Sequence, residues 1–263
     1  MEPTHVHDSE DPATVEEQLD ASRREVARLR EDLSRHEREA TVRYSQLERY
    51  AADLRETFKQ ERARAQELKR SYRATVRALA NAVEARDAYT GKHAERVAAY
   101  GLEIASAVGM DLTDSPEIEF GFLLHDVGKV AVPDAILFKT SRLTETEYAL
   151  IAQHPLIGWE ILREIEFLGE AKLVVRHHHE RWDGSGYPDG LSGEGIPLAA
   201  RVFAVADTLD ALTTDRPYRP ASDLSVARRE IRRSTGTQFD PTVAEAFDGV
   251  PDARFAELRE QTA

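Results

Sequence analysis

The chain has 263 residues, enough for one domain of ordinary size with a sizeable core plus a substantial accessory segment. Charged residues make up 32% and hydrophobic ones 41%, a balance that suits a helical protein and excludes a wholly disordered one. The formal net charge of -13 excludes bulk attraction to a nucleic acid polymer or an acidic membrane surface, and the absence of cysteine excludes disulfides and thiolate metal ligands.

Met1 to Thr14 is acidic, lacks the basic start and apolar stretch of a secretory signal, and is expected to be disordered. From residue 15 to about 73 the sequence has no Pro and no Gly and is dense in Glu, Arg, Ala and Leu, which predicts one long helix. Leu19, Val26, Leu33, Ala40, Leu47, Leu54 and Leu68 recur on a seven-residue spacing, with Glu61 as the polar exception. Ser22, Leu29 and His36 follow this seam by three residues, whereas Tyr44, Ala51, Phe58, Ala65 and Tyr72 follow it by four. The step between Ala40 and Tyr44 is a stutter that unwinds a supercoil locally without ending it. Such a narrow stripe predicts a parallel coiled-coil homodimer, and the input signal is expected to reach the chain through this helix or a separate partner.

The seam runs through Val76 and Leu79 into Thr75–Asp87, which reads as the first helix of a globular domain spanning 74–250. Further helices are expected over His93–Val108, Phe120–Lys129, Glu145–Gln153, Pro155–Phe167, Gly169–Arg181, Leu198–Thr213, Asp223–Ser234 and Pro241–Phe247, followed by a tail at 251–263. Thr144 with Glu147 is a capping box, and Pro155 suits a first helical turn. No alternating strand pattern of useful length occurs, so the expected fold is all-α. No apolar run approaches the roughly 18 residues of a membrane span; Leu198–Leu212 is interrupted by Arg201, Asp207 and Asp210, and a cytoplasmic location is expected. Between two of the helices, Trp182–Pro197 holds Gly184, Gly186, Gly190, Gly193 and Gly195, which predicts a functional loop with unusual backbone or a close ligand approach.

Six of nine histidines lie between His93 and His179. His125-Asp126 ends the apolar run Phe122-Leu123-Leu124, and Asp207 ends the run Val202 to Ala206, so both carboxylates fall where water is scarce and a cation would offset their burial. Lys129, three residues after Asp126 on the same helical face, is within reach of a phosphate bound there. With His154 and His178-His179 these residues form a candidate metal site in a helical core. The mixture of imidazole and carboxylate favours iron, manganese or another borderline divalent ion over a structural zinc. Glu180 and Arg181 read as structural ion pairs and His177 as a residue outside the ligand set, while His5, His7 and His36 have no chemical context.

Leu124-His125-Asp126-Val127-Gly128-Lys129 with Val132-Pro133-Asp134, and His178-His179-Glu180-Arg181-Trp182-Asp183-Gly184-Ser185-Gly186-Tyr187-Pro188, resemble the HD-GYP domain family. The resemblance extends over Tyr89-Thr90-Gly91-Lys92-His93, His154-Pro155-Leu156-Ile157-Gly158, Asp207 to Arg219, and Gly236-Thr237-Gln238-Phe239-Asp240-Pro241. A His-Asp pair alone is weak; the ordered set is specific.

The resemblance implies an HD-type helical bundle acting as a metal-dependent phosphodiesterase on cyclic di-GMP, by attack of an activated hydroxide on phosphorus. Carried over by position, His93, His125 and Asp207 would hold one metal, His154, His178 and His179 the second, and Asp126 would bridge them. Lys129 would contact the scissile phosphate, Asp87 and Asp183 are both candidates for the acid near the attacking water, and Arg216, Arg219 and Tyr187 would contact substrate. Tyr89 stands where some relatives carry a glutamate that helps bind a third metal, so two divalent ions, iron or manganese, are expected, with pGpG as the first product and slower cleavage on to GMP as the alternative end point. Lys139-Thr140-Ser141 replaces a Lys-Pro-Gly and alters that loop without removing a ligand. Two other readings are a cyclic di-GMP-binding signalling module with little turnover and a phosphohydrolase of another cyclic dinucleotide. The Gly-Tyr-Pro loop is a candidate surface for a protein partner.

Overall fold

The uninterrupted run of helix formers at the start becomes a single helix, α1, Pro12–Glu84, in the computed structural model, which describes residues 12–86, 92–112, 117–215 and 220–262. The chain divides into a unit ending at Leu68 and a unit beginning at Lys69. In the first, exposed pairs one turn apart line the helix, among them Arg28 with Glu25 at 3.0 Å and Arg35 with Asp32 at 2.7 Å. Each adds a few tenths of a kcal/mol at most. The seam residues Leu19, Leu33, Leu47 and Leu54 are all exposed.

From Lys69 onward α1 changes character. Val76 and Ala80, one turn apart, are buried, Tyr72 stacks on Phe167 at 4.3 Å, and Arg77 pairs with Glu119 at 3.2 Å. The expected boundary at 73/74 therefore falls inside a stretch that already packs on the domain.

The second unit continues through α2 (His93–Ala107), α3 (Glu117–Leu124), a 3-10 stretch (Val127–Ala131), α4 (Asp134–Leu137), α5 (Glu145–Ile151), α6 (His154–Leu162) and a short 3-10 turn (Glu166–Leu168). It closes with α7 (Ala171–His177), α8 (Leu198–Thr213), α9 (Leu224–Arg233), α10 (Pro241–Gly249) and α11 (Asp252–Gln261). The Thr144–Glu147 capping box forms at the start of α5. Apolar α8 packs against α2, α7, α9 and α10, while α3 lies between α2 and α7. Phe122, Phe203, Phe239 and Phe247 are fully buried in the shared core. Among the described residues there is no strand, only an isolated bridge between Thr235 and Phe239, and no helix long and apolar enough to cross a membrane. The all-α expectation holds.

Three helices end earlier than the periodicity predicts. The expected Phe120–Lys129 helix breaks after Leu124, where Asp126 leaves the helical region at φ -95, ψ 8, and the chain resumes as 3-10. The helix before His178 stops at His177 rather than at Arg181, and α6 stops at Leu162 rather than at Phe167. Apolar periodicity registers a face, not the carbonyls at its end, and at the ends of α3 and α7 those are taken by histidine side chains.

The residues set down as a C-terminal tail form α11 instead. Phe255 and Leu258 are buried, Phe255 contacts Tyr100 and Phe247 edge-on and tilted at 5.7 and 5.4 Å, and Arg254 reaches Glu103 of α2 at 2.9 Å. Ten residues make too short a helix to persist alone, and it is tertiary contact that stabilises this one.

Candidate metal centre

Four elements deliver their histidines at helix ends. The last carbonyls of a helix have no partner within it, and an imidazole there can satisfy one. His125 Nδ1 donates to the Phe122 carbonyl at 2.9 Å, His154 Nδ1 to Ile151 at 2.8 Å, and His178 Nδ1 to Val175 at 2.8 Å. A carbonyl only accepts, so Nδ1 carries the proton in each and the Nε2 lone pair faces the site. The repeated i to i-3 bond both terminates the helix and sets the ligating atom.

Close packing then brings these ends together. A Cβ at Gly128 would overlap the His154 carbonyl oxygen and lie 2.6 Å from the Gly158 amide nitrogen, so only glycine lets the His125-Asp126 turn seat on α6. In the same way Gly186 lies against the His179–Arg181 backbone, and the Tyr187 amide donates to the His179 carbonyl at 3.3 Å.

The result is one cluster with two chemically distinct ends. At the imidazole end, His154, His178 and His179 converge, with His154 Nε2 and His178 Nε2 only 3.1 Å apart. Burial and the neighbouring His179 and His154 push the pKa of His178 well down, and burial with His154 pushes that of His179 down to about 3. Neutral imidazoles are the form that ligates. At the carboxylate end, His93, His125 and Asp126 form a second group whose ligand atoms all lie within 4.8 Å, and Asp207 stands 3.5 Å from His93 Nε2. Asp126 joins the two ends: one carboxylate oxygen is 3.0 Å from His125 Nε2 and the other 3.2 Å from His154 Nε2. Burial opposes its charge, yet His125 and Lys129 hold the carboxyl well below the usual range. Lys129 Nζ sits 2.7 Å from Asp126 and lines the same cavity as His93, His178, His179 and Asp207.

These residues fit divalent metal. Two bare Nε2 lone pairs facing each other at 3.1 Å repel in the neutral forms of His154 and His178, and a cation between them turns that repulsion into ligation. The hard and borderline N/O donor set suits iron, manganese or zinc.

Asp210 has a part in the site that the sequence reading did not assign. It is buried, accepts from His93 Nδ1 at 2.7 Å, and takes the Arg96 Nε at 2.6 Å. Burial works against charge on His93, but the bond to Asp210 and the charges of Asp207 and Asp126 raise its pKa. Its signal in the sequence was the three-residue interval from Asp207, which puts both carboxylates on one face of α8.

The remaining expectations divide. Tyr187 stacks on His179 at 4.8 Å and meets Tyr148 edge-on, at the rim of the cluster. Asp183 is exposed, accepts from the Ser185 amide and hydroxyl at 3.0 and 2.6 Å, and is thereby drawn toward its own loop. Glu180 is buried and accepts from the Asp189 and Leu191 amides, so it pins the glycine-rich loop. Asp87, Tyr89, Arg216 and Arg219 lie outside the described residues.

The fold and site define an all-helical domain with a histidine-aspartate metal-binding centre. A model of the HD domain family matches residues 77–243, and the chain belongs to that family. It is 41% identical over 183 residues to a cyclic di-GMP phosphodiesterase response regulator, RpfG, of Xanthomonas campestris pv. campestris, covering 69% of this chain and 48% of that one. It is 40% identical over 196 residues to 3'3'-cGAMP-specific phosphodiesterase 2 of Vibrio cholerae, covering 73% of this chain and 35% of that one. A crystal structure of a cyclic GMP-AMP-specific phosphodiesterase of Vibrio cholerae shares the fold, with a TM-score of 0.53 at 22% identity over 69% of this chain and 50% of that one. The chain thus spans between about a third and a half of the length of these relatives.

Proposed function

We propose that this chain is a metal-dependent phosphodiesterase that hydrolyses cyclic di-GMP to pGpG, using two divalent ions, iron or manganese, held by His93, His125, Asp126, His154, His178, His179 and Asp207. The observation that carries this reading is the convergence of His93, His125, Asp126, His178, His179 and Asp207 on one cavity, with His154 reaching Asp126 and His178 behind it and Asp126 between the two ligand groups. Relatives at 41% and 42% identity named cyclic di-GMP phosphodiesterases support the substrate. When bound, the ions would supply Lewis acidity toward the phosphoryl oxygens and a more acidic water.

The chain's own groups do the rest. Lys129 places a cation at the cavity wall, where exclusion of water makes its attraction for a phosphoryl oxygen worth several kcal/mol. Tyr187, flat against His179, offers an aromatic face to a base. Arg216 and Arg219 are proposed to hold substrate phosphate, and Asp87 or Asp183 to orient the attacking water. The loop around Tyr187 is proposed to serve a protein partner as well. The exposed stripe of α1 supports a parallel homodimer, since a helix of this length with its leucines in water gains from pairing. Cytoplasmic placement is proposed together with that substrate.

A second substrate has support of the same strength, because a relative at 40% identity is named for 3'3'-cGAMP. The deciding experiment reconstitutes the chain anaerobically with Fe(II) or Mn(II) and follows both cyclic dinucleotides by chromatography. Accumulation of pGpG from cyclic di-GMP is expected. Faster loss of 3'3'-cGAMP would reassign the substrate, and binding without turnover would make the domain a receptor.

A further inference from the structure

Behind the catalytic cluster, a third histidine in the His177-His178-His179 run faces away from it into a different group of side chains. His177 is buried, and its Nδ1 has no hydrogen-bond partner. That atom stands 3.5 Å from Asp189 Oδ2 and 3.8 Å from Glu180 Oε1, too far for a hydrogen bond to either. Leaving a buried polar atom unmatched is destabilising.

We propose that His177, Glu180 and Asp189 form a separate binding site for one divalent cation of the zinc type, which clamps the glycine-rich loop to the end of α7. Divalent zinc binds such donors at about 2.0–2.2 Å, so neighbouring donors in a tetrahedral site stand about 3.3–3.5 Å apart. The observed 3.5 and 3.8 Å need a side-chain adjustment of a few tenths of an ångström.

The surroundings match the needs of a ligand set. Glu180 Oε1 already accepts from the Asp189 amide at 2.8 Å and Oε2 from the Leu191 amide at 3.1 Å. Arg176 forks onto Asp189 at 2.7 and 2.9 Å, and its guanidinium lies over the Trp159 ring at 4.9 Å. A carboxylate oxygen has about two lone-pair sites, so one holds the supporting donor and the other remains for the cation. Two carboxylates against one guanidinium leave the group with a net negative charge that a dication reverses. Asp189 is exposed, which gives an entry path and an open position for water.

The consequence for function is mechanical. Asp189 follows Pro188 directly and lies two residues from Tyr187, whose ring covers His179. An ion joining Asp189 to His177 ties that loop to the helix end from which His178 and His179 project. The inference does not depend on the hydrolase reading.

The test is Zn(II) per chain, by elemental analysis after equilibrium dialysis of the full chain and of Asp189→Ala, His177→Ala and Asp126→Ala variants. Asp189 is at the surface, so its variant folds. Loss of one ion per chain is expected in Asp189→Ala and in His177→Ala, and slower hydrogen exchange at the Asp189 and Leu191 amides on adding Zn(II) to Asp126→Ala. An unchanged ion count in Asp189→Ala overturns the site. Loss of an ion in Asp189→Ala but none in Asp126→Ala would uphold this site and remove the catalytic cluster instead.

Discussion

His93 Nδ1 and Asp210 Oδ2 are 2.7 Å apart, although 117 residues separate them along the chain. The bond turns His93 Nε2 toward Asp207 and the ligand cluster, and Arg96 holds Asp210 in turn. Asp210→Asn keeps the shape but removes the negative charge, so metal affinity should fall about 10–100-fold, the usual effect of losing such a supporting carboxylate. A competitive chelator titration measures it. An affinity equal to that of the unsubstituted chain would show that His93 needs no such support.

Asp126→Ala removes the residue that reaches both ligand groups. Turnover should vanish and metal binding should collapse, while far-ultraviolet circular dichroism stays helical because no core side chain is lost. Retained hydrolysis by this variant would exclude the bridging role.

Gly128→Ala sets a methyl group against the His154 carbonyl. Relief requires the 3-10 turn to move off α6, which should lower stability by about 1–3 kcal/mol in urea unfolding and weaken metal binding together. Loss of stability with unchanged metal affinity would mean that the spacing of these two elements does not set the site.

Acid should destabilise the metal-free protein in a defined window. The pKa of His179 is lowered to about 3 by burial and His154, and that of His178 is lowered well below its ordinary value by burial and His179. The unfolded chain binds these protons first, so the stability they contribute is present above pH about 6.5 and is lost as pH falls toward about 3. One such proton corresponds to a slope of about 1.4 kcal/mol per pH unit. Asp126, also lowered, adds in the same direction at the acid end, whereas His93, raised, stabilises at low pH and opposes the trend. Urea midpoints of chelator-treated protein from pH 7 to 4 test this, and His179→Asn should flatten the slope. A midpoint independent of pH would contradict the buried neutral assignment.

Replacing Leu47 and Leu54 by Glu puts charge into the exposed stripe of α1. Sedimentation should change from dimer to monomer, with the helical domain still folded because its core lies beyond Lys69. A monomeric unsubstituted chain would end the pairing proposal.

Much of the site was legible because metal ligands are chemical labels written locally. His125-Asp126 after an apolar run, paired His178-His179 and an aspartate ending Val202–Ala206 carry their meaning without a third dimension, as do an all-helical class and a seven-residue stripe. What the packing alone decided lies at helix ends and across long separations. The Nδ1 bonds of His125, His154 and His178 depend on where each helix stops, and periodicity does not report that. Asp210 gains its role and α11 its helix only when elements distant in sequence come into contact. The sequence determined which donors exist; the tertiary structure determined which lone pair each one presents and to what, because hydrogen-bond direction and close packing act over a few ångströms of space rather than along the chain.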